Sequence, residues 1–436
     1  MKRSLVKFLG RALLAGGAFV SPWGQAQCTP GWDTSFGVPT TDSISGQVKT
    51  SIMYDDGTGP VLYVAGDFLT LGGSLVQGIA KFDGQQWVSL GGGVRAELQT
   101  TFVSPEPVGV VHEMVVFDLN GAGPNRPVLV VAGKFKSVDG SQVPSQSLAA
   151  WDGHQWMDLS DGLEKSVPES NSPPEVFALA VYDSGSGSRL YAGGDFAVAS
   201  GSLFGMAQWD GTSWVSVGGN GLTLLGGFGP PHGRVNHLMT FNDGTGTALY
   251  ASGYFNGFIE VPGTKGIARW DGSTWSSVGG GRPGEFEIYR TVPFDSDGPG
   301  GAGPQLHAVG GSLHRWSGSA WTNVGAIPEG SSGSCFGGET GATVFDDGSG
   351  GGPALFIGGN GSCLGLTQVH LVKYNGSTFS VLGSDVFGGI ATDDSRLMWI
   401  GHLAAYNLGG TNRLLAGGFF AGTHDAPMSG MMEWNG

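Results

Sequence analysis

The stretch EVFALAVYDSGSGSRLYAGGDFAVASGSLFGMAQWDGTSWVSVGG, residues 175–219, decides the fold because its landmarks return along the chain. The LYAGGDF segment at 190–196 has counterparts at 62–68 and 249–255, and a shorter version stands at 415–420. Self-similarity at this period, in a sequence rich in glycine and β-forming residues, is typical of solenoids and propellers. The chain is therefore predicted to be a repeat array rather than a set of unrelated domains.

Each repeat contains four short extended segments. In residues 175–219 these segments are predicted at 176–182, 189–193, 206–209 and 214–217, each β-branched or aromatic and bounded by Gly, Asp or Ser. The first two are joined by DSGSG, and other copies have DDG or NDG there, which favours positive φ in hairpin loops. The unit is predicted to be one four-stranded antiparallel blade, and the strand-two glycines indicate close approach of a neighbouring blade.

Aromatic residues give the number of repeats. An aromatic followed by Asp, Asn or Ser and then Gly ends the third segment of seven repeats, at Phe82, Trp151, Trp209, Trp270, Trp316, Tyr374 and Trp434. Five residues after each of the first six stands a second aromatic, at Trp87, Trp156, Trp214, Trp275, Trp321 and Phe379. Four turn residues between the two make each pair direct cross-strand partners, which stabilise a sheet strongly when both are aromatic. These aromatics are predicted to be core residues.

The seventh anchor, Trp434, lacks a second aromatic, but a matching segment stands at the other end of the sequence. Residues 31–37, GWDTSFG, resemble the fourth strand at 86–91. Pairing of this segment with the last three strands would complete the seventh repeat and remove the free sheet edges. The predicted fold is all-β, a seven-bladed β-propeller closed by an N-terminal strand.

The repeated LYAGGDF and WDGxxW motifs resemble the repeats of secreted bacterial β-propeller proteins, which are similar to kelch and galactose-oxidase-like propellers and to fungal cortical polarity-marker repeats. The resemblance covers nearly all of residues 30–436. It implies the fold but not a function, because such repeats occur in proteins of many roles. The oxidase of that group has a copper site of tyrosine and histidine with a cross-linked cysteine, and no such motif is present here.

Composition and the N-terminus indicate the compartment. Residues 1–26 have basic residues, an apolar run and a small-residue site, the pattern of a secretory signal peptide, which leaves 27–436 as a single propeller domain. No other apolar run is long enough to span a bilayer, so a monomeric protein without membrane insertion is expected outside the cytoplasm, secreted or periplasmic at the cell-envelope exterior. The net charge of −15 argues against nucleic acid as a partner.

Catalytic, metal and cofactor motifs are absent from the sequence, so no catalytic residue, metal or cofactor is predicted. One set of residues stands out when the first strands are aligned by their terminal Asp or Asn. Five residues before that position are Thr50, Glu113, Ala178, His237, Arg290, Gly341 and His402. First strands line the axis of a propeller, so the ionisable members are candidate binding residues at one mouth. His232 and Arg234 lie beside the same mouth in this register, and the alternative is that all are solvated walls or hydrogen-bond partners.

Three cysteines in an oxidising compartment leave one unpaired. Cys335 precedes the first strand of the sixth repeat and Cys363 follows its second strand, which places them on the same face within bridging distance. A Cys335–Cys363 disulfide is therefore expected, with two buried free thiols as the alternative, and Cys28 belongs to the opposite face.

Three classes of function stay open. The first is a non-enzymatic binding or scaffold module that holds a protein or glycan ligand through its loop faces. The second is an extracellular hydrolase or lyase that uses the axial ionisable residues. The third is a structural component of the cell envelope.

Overall fold

The structure is a computed structural model that describes residues 32–33, 46–96, 109–119, 126–166, 173–198, 203–218, 233–255, 261, 263–281, 287–298, 301, 303–327, 340–359, 371–382, 399–408, 410–419 and 430–434. The predicted signal peptide, His232 and all three cysteines lie outside these residues, and so does the expected disulfide. Within them the fold is all-β, with a single 3₁₀ turn at Asp139–Ser141 as the helical element. In the described part of the chain, no helix is long and apolar enough to cross a membrane.

The strands are numbered in chain order. They are β1 Trp32–Asp33, β2 Gly46–Asp55, β3 Pro60–Phe68, β4 Thr70–Leu71, β5 Ser74–Leu75, β6 Ile79–Phe82, β7 Trp87–Ser89, β8 Val94–Arg95, β9 Val110–Phe117, β10 Val128–Lys134, β11 Ser137–Val138, β12 Val143–Pro144, β13 Leu148–Trp151, β14 Trp156–Asp158, β15 Leu163–Glu164, β16 Glu175–Asp183, β17 Ser188–Val198, β18 Leu203–Trp209, β19 Trp214–Ser216, β20 Arg234–Asn242, β21 Thr247–Tyr254, β22 Ile267–Trp270, β23 Trp275–Ser277, β24 Arg290–Phe294, β25 Gln305–Val309, β26 Ser312–Trp316, β27 Trp321–Ala326, β28 Ala342–Phe345, β29 Ala354–Gly358, β30 Leu371–Tyr374, β31 Phe379–Leu382, β32 Trp399–Leu408, β33 Thr411–Phe419 and β34 Met431–Trp434.

Most strands form four-stranded antiparallel sheets, which we number along the chain. Sheets 1 to 6 have the orders β2-β3-β6-β7, β9-β10-β13-β14, β16-β17-β18-β19, β20-β21-β22-β23, β24-β25-β26-β27 and β28-β29-β30-β31. Sheet 7 has the order β32-β33-β34-β1, in which Trp32 is opposite Trp434. Small additions stand outside this scheme: β15 pairs with β17, β4 with β5, and β11 with both β8 and β12.

The first strands of successive sheets touch one another. β2 contacts β9, β9 contacts β16, and the series continues through β20, β24, β28 and β32, which in turn contacts β2. The hydrophobic core follows the same order, because each buried apolar cluster joins two successive sheets. The second strands show how this works: Leu190 and Ala192 of β17 pack toward sheet 2, whereas Tyr191 between them packs toward sheet 4. Side chains alternate across a strand, so a strand with both faces covered is apolar throughout.

The aromatic pairs occupy the predicted register. Each of the six described pairs is directly cross-strand, with ring centroids 4.8–5.6 Å apart. Phe82, Trp275, Trp321 and Phe379 are only half-buried, which corrects the prediction that all these aromatics are core. Three of them lie on fourth strands, the outer edges of their sheets, whereas the fourth-strand residues Trp87, Trp156 and Trp214 are buried.

The hairpin loops have the predicted chemistry. In the turn between β16 and β17, the Asp183 carboxylate accepts hydrogen bonds from the backbone N–H groups of Gly185 and Gly187, at 2.7 and 3.0 Å. Both glycines have positive φ, about +100°. The fifth repeat is shortened as its sequence suggested, because only Gly310 and Gly311 connect β25 to β26.

Candidate functional site

Five first strands carry a β-bulge at the same place. In sheets 1, 2, 3, 4 and 7 the pairing with the second strand shifts by one residue, and the extra residues are Lys49, His112, Phe177, Asn236 and Gly401. A bulge turns the extra side chain away from the regular alternation, which re-aims it. One residue of each of these strands is thereby presented outside the cross-strand pairing.

The second-strand glycine explains why the bulge fits. The carbonyl oxygen of Glu175 comes so close to Gly194 that a Cβ there would lie 2.2 Å from it, and Gly66, Gly133 and Gly253 are in the same situation with distances of 1.9–2.2 Å. No real Cβ tolerates such a contact, so these positions require glycine. The predicted close approach of a neighbouring sheet applies instead to the preceding glycine, because a Cβ on Gly193 would lie 2.6 Å from a methyl of Val235 in sheet 4.

The bulge residues surround a cavity of about 340 Å³, which we call the first-strand cavity. Sheets 5 and 6 contribute Tyr289 and Thr340 at the corresponding place, so every sheet supplies one residue of this ring. The remaining lining residues are Glu113, Glu175, Arg234 and Arg290. Polar and charged side chains thus dominate a small cavity in a protein that is strongly acidic overall.

Glu175 is held as a carboxylate on one side of the cavity. Its two oxygens accept from His112 Nε2 and Lys134 Nζ, each at 3.0 Å. Burial by itself would raise the pKa of Glu175, but the bonds from His112 and then Lys134 outweigh burial and lower the pKa to about 2. The carboxylate is therefore ionised at any physiological pH and already has its partners.

Arg234 has partners as well. Its guanidinium lies 2.7 Å from a carboxylate oxygen of Glu287 and 5.6 Å from the ring centroid of Phe177. Asn236 donates to the same Glu287 oxygen at 3.0 Å, and the other contact of the Phe177 ring is His112, at 4.9 Å between centroids. Ion pairs and ring contacts therefore link sheets 2 to 5 around the cavity.

Glu113 and Arg290 both line the cavity and do not form an ion pair with each other. Glu113 accepts from Thr50 Oγ1 at 3.2 Å and from the Met114 backbone N–H at 3.3 Å. Its side chain touches the cavity but is enclosed by protein on its other sides, and burial raises its pKa even though the charge of Arg290 acts to lower it. Burial is thus the stronger of the two effects.

His237 and His402 lie close enough to Arg290 for its charge to act on both imidazole rings. His402 is 4% exposed and its Nε2 is 2.8 Å from Ser51 Oγ, while His237 Nδ1 accepts from Thr291 Oγ1 at 3.0 Å. Burial, with a further contribution from the positive charge of Arg290, lowers the pKa of His402 to about 3 and the pKa of His237 well below its usual value. Both imidazoles are therefore neutral hydrogen-bond partners.

The structure brings most of the sequence-derived candidates together. Glu113, Arg290 and Arg234 line the first-strand cavity, and His237 and His402 are close enough to feel the charge of Arg290. His232 lies outside the described residues. The alignment missed the bulge residues and Glu175, which precede the aligned column. The signal for them is the second glycine of strand two, which marks the bulge.

The described residues contain no group of three or more His, Cys, Asp or Glu side chains arranged to hold a metal ion. What the cavity offers is a set of fixed donors and acceptors around a half-buried guanidinium, suited to binding a polar ligand.

No protein-family model matches the chain, and no curated protein matches it in sequence. Among solved structures it is similar to the extracellular domain of the putative one-component system BT4673 from B. thetaiotaomicron, with 10% identity and a TM-score of 0.45 over 89% of this chain. It is also similar to BBS1N in complex with ARL6DN, with 12% identity and a TM-score of 0.48, covering 91% of this chain and 95% of that one. An ancestral GH74 enzyme gives 10% identity and a TM-score of 0.38, covering 89% and 56%. The chain spans only 38% of the BT4673 domain. TM-scores this low do not establish a common fold, so the architecture rests on the strand pairing of the chain itself.

Proposed function

We propose that the protein is a secreted, seven-bladed β-propeller that acts as a non-enzymatic binding module, with a glycan or protein ligand at the first-strand cavity. The cyclic contacts of the first strands and the pairing of Trp32 with Trp434 support the closed propeller. The pattern at residues 1–26 supports export.

One observation carries the binding role. Every sheet places one residue around the same cavity, and Glu175 and Arg234 are fixed there by bonds that cross from sheet to sheet. Groups held in this way keep their geometry when a ligand arrives, so little ordering is lost on binding. Small-molecule and sugar sites combine a preformed concavity with a few placed polar groups.

The test is a binding screen with a cavity variant and a matched control. Purified mature protein is applied to a glycan array and used to capture proteins from the culture medium of its source cells. The double variant Lys49→Ala, Asn236→Ala removes two cavity side chains, whereas Leu75→Ala removes an exposed side chain on the β4–β5 hairpin. The ligand should be lost by the double variant and kept by Leu75→Ala, with unchanged thermal melting of both. Equal binding by both variants, or no ligand at all, would contradict the proposed function.

An extracellular hydrolase or lyase is the second candidate, favoured by Glu113. A carboxyl whose pKa is raised by burial, next to an arginine in a cavity, is a common arrangement for a general acid or base. Incubation with the bound glycan should release new reducing ends or unsaturated ends if this candidate is correct, and Glu113→Gln should stop the release. The binding role predicts an unchanged ligand.

A further inference from the structure

Arg290 differs from the other cations around the first-strand cavity. Arg234 is paired with Glu287, Lys134 with Glu175, and Lys49 has Gln47 as a polar partner. Within the described residues, the Arg290 guanidinium has no hydrogen-bond or ion-pair partner, although it is half-buried and lines the cavity. A guanidinium carries five N–H donors, and donors in such positions are normally satisfied.

Further polar atoms near Arg290 are unsatisfied. Thr340 lines the cavity, and its Oγ1 is buried without a partner among the described residues. The Nδ1 of His402, which does not line the cavity, is also buried without a partner among those residues. Buried polar atoms without partners are uncommon, and one that borders a cavity is explained by a polar molecule bound there. The groups missing from the cavity are an anion for Arg290 and a hydroxyl-type partner for Thr340.

The carboxylate of Glu113 does not meet this need. It lies beyond ion-pair distance of Arg290, and its Oε1 accepts from Thr50 and the Met114 N–H. When its carboxyl is ionised, Glu113 places a negative charge beside any anion that Arg290 binds, which weakens that anion's binding. The two residues therefore make opposite contributions to the same site.

We infer that Arg290 binds the carboxylate of an acidic sugar, a uronic acid, whose hydroxyl groups meet the polar lining of the first-strand cavity. This inference rests on the proposed binding function and specifies its ligand. An arginine fork matches a carboxylate with two parallel hydrogen bonds. A cavity of about 340 Å³ stands near the lower end of the range for small-molecule sites, and its donors and acceptors suit a hydroxylated ring.

The experiment is isothermal titration of the mature protein with D-galacturonate and trigalacturonate, with galactose and galactotriose as neutral counterparts. Trigalacturonate should bind at least about tenfold more tightly than galactotriose, since a charge-assisted bidentate pair is lost in the neutral sugar. If D-galacturonate binds about as tightly as trigalacturonate, the natural ligand is a free sugar acid. If trigalacturonate binds clearly more tightly, the natural ligand is a polysaccharide. Both results support the inference.

Three variants test the residues. Arg290→Gln should weaken the binding of trigalacturonate at least about tenfold. Arg290→Lys should weaken it by a smaller factor, because lysine keeps the positive charge but cannot form the two parallel hydrogen bonds. At high pH, where the Glu113 carboxyl is ionised, Glu113→Gln should bind several-fold more tightly than the unaltered protein, because it removes a like charge. Thermal melting establishes that each variant is folded. If Arg290→Gln misfolds, the opposite directions expected of Arg290→Lys and Glu113→Gln still decide the matter.

Other results would overturn the inference. They are equal affinity for neutral and acidic sugars, no effect of the Arg290 variants, or binding of a pentaglutamate peptide in place of trigalacturonate. If a neutral glycan or a protein binds at the cavity without dependence on Arg290, the binding function survives and only the ligand class is wrong. If nothing binds at the cavity, the proposed function fails with it.

Discussion

His402 illustrates how a buried side chain of a first strand couples stability to pH. Its pKa is about 3 in the folded protein against an ordinary value of 6.5, so in the window between them the unfolded chain binds more protons. The contribution of the neutral imidazole to the free energy of unfolding is complete above pH 6.5. It is lost as the pH falls from 6.5 towards 3. Acidification therefore destabilises the fold at this residue.

Replacing His402 with Gln should make the protein less sensitive to acid. Between pH 7.5 and 4.5, the free energy of unfolding should fall by about 2–3 kcal/mol less than it does in the unaltered protein. Urea unfolding at the two pH values measures the difference. His154→Gln, at an exposed turn, is the control and should leave the pH dependence unchanged. If the free energy of unfolding falls by the same amount in the His402 variant and in the unaltered protein, this histidine is not the cause of the pH dependence.

Two adjacent glycines show how far single residues could be interpreted from sequence. Gly193 does meet the neighbouring sheet, as the pattern suggested, but Gly194 meets the Glu175 carbonyl of its own sheet. A prediction from alternating residues assumes regular pairing along the whole strand. The bulge shifts the pairing by one residue, so residues beyond it change faces. The aligned column therefore found Glu113 and Arg290 but missed His112 and Phe177, which the bulge turns into the cavity.

At the scale of the strands, sheets 2, 3 and 5 are each bonded to the preceding sheet by an indole. Trp214 of β19 donates its Nε1–H to the Leu159 carbonyl of sheet 2 at 2.6 Å, and Trp156 and Trp321 donate in the same way to Leu90 and Val278. The partner ring Trp209, in contrast, has its Nε1 buried without an acceptor among the described residues. The two tryptophans of one pair thus have different roles.

This difference is testable with two conservative substitutions. Trp214→Phe should destabilise the protein by about 1–2 kcal/mol more than Trp209→Phe, because it removes one hydrogen bond and leaves a buried carbonyl unpaired. Trp209→Phe removes a donor that was already unsatisfied. Chemical denaturation of both variants gives the comparison. A larger loss for Trp209→Phe would mean that ring packing, not the inter-sheet hydrogen bond, sets the difference.

Strand positions were well predicted because every repeat presents the same apolar and turn signals, and the aromatic pairs fixed the register between third and fourth strands. The additional short strands were not predicted. Val94–Arg95 and Ser137–Val138 come from connections that have no repeated pattern, and their pairing depends on how sheets 1 and 2 are placed in space. Local sequence carries no information about such distant partners.

For the whole molecule, stability comes from layers between sheets rather than from one central core. The cluster that joins sheet 7 to sheet 1 includes Val48 and Leu415, so the last sheet is packed against the first. Such a ring has no exposed terminal unit, provided that its last sheet is complete. The completing strand in the proposed propeller is β1.

Deletion of residues 28–38 should therefore open the ring. Glu433, 1% exposed and bonded to Arg413 at 2.8 Å, lies directly opposite Asp33, so the loss of β1 places this buried carboxylate at an open sheet edge. The melting temperature should fall by at least about 5 °C, and the protein should aggregate more readily through the free edge. Deletion of residues 28–30 alone, which leaves the Trp32–Trp434 pairing intact, is the matched control and should melt like the mature protein. Equal melting of the two truncated proteins would mean that the N-terminal strand does not close the ring.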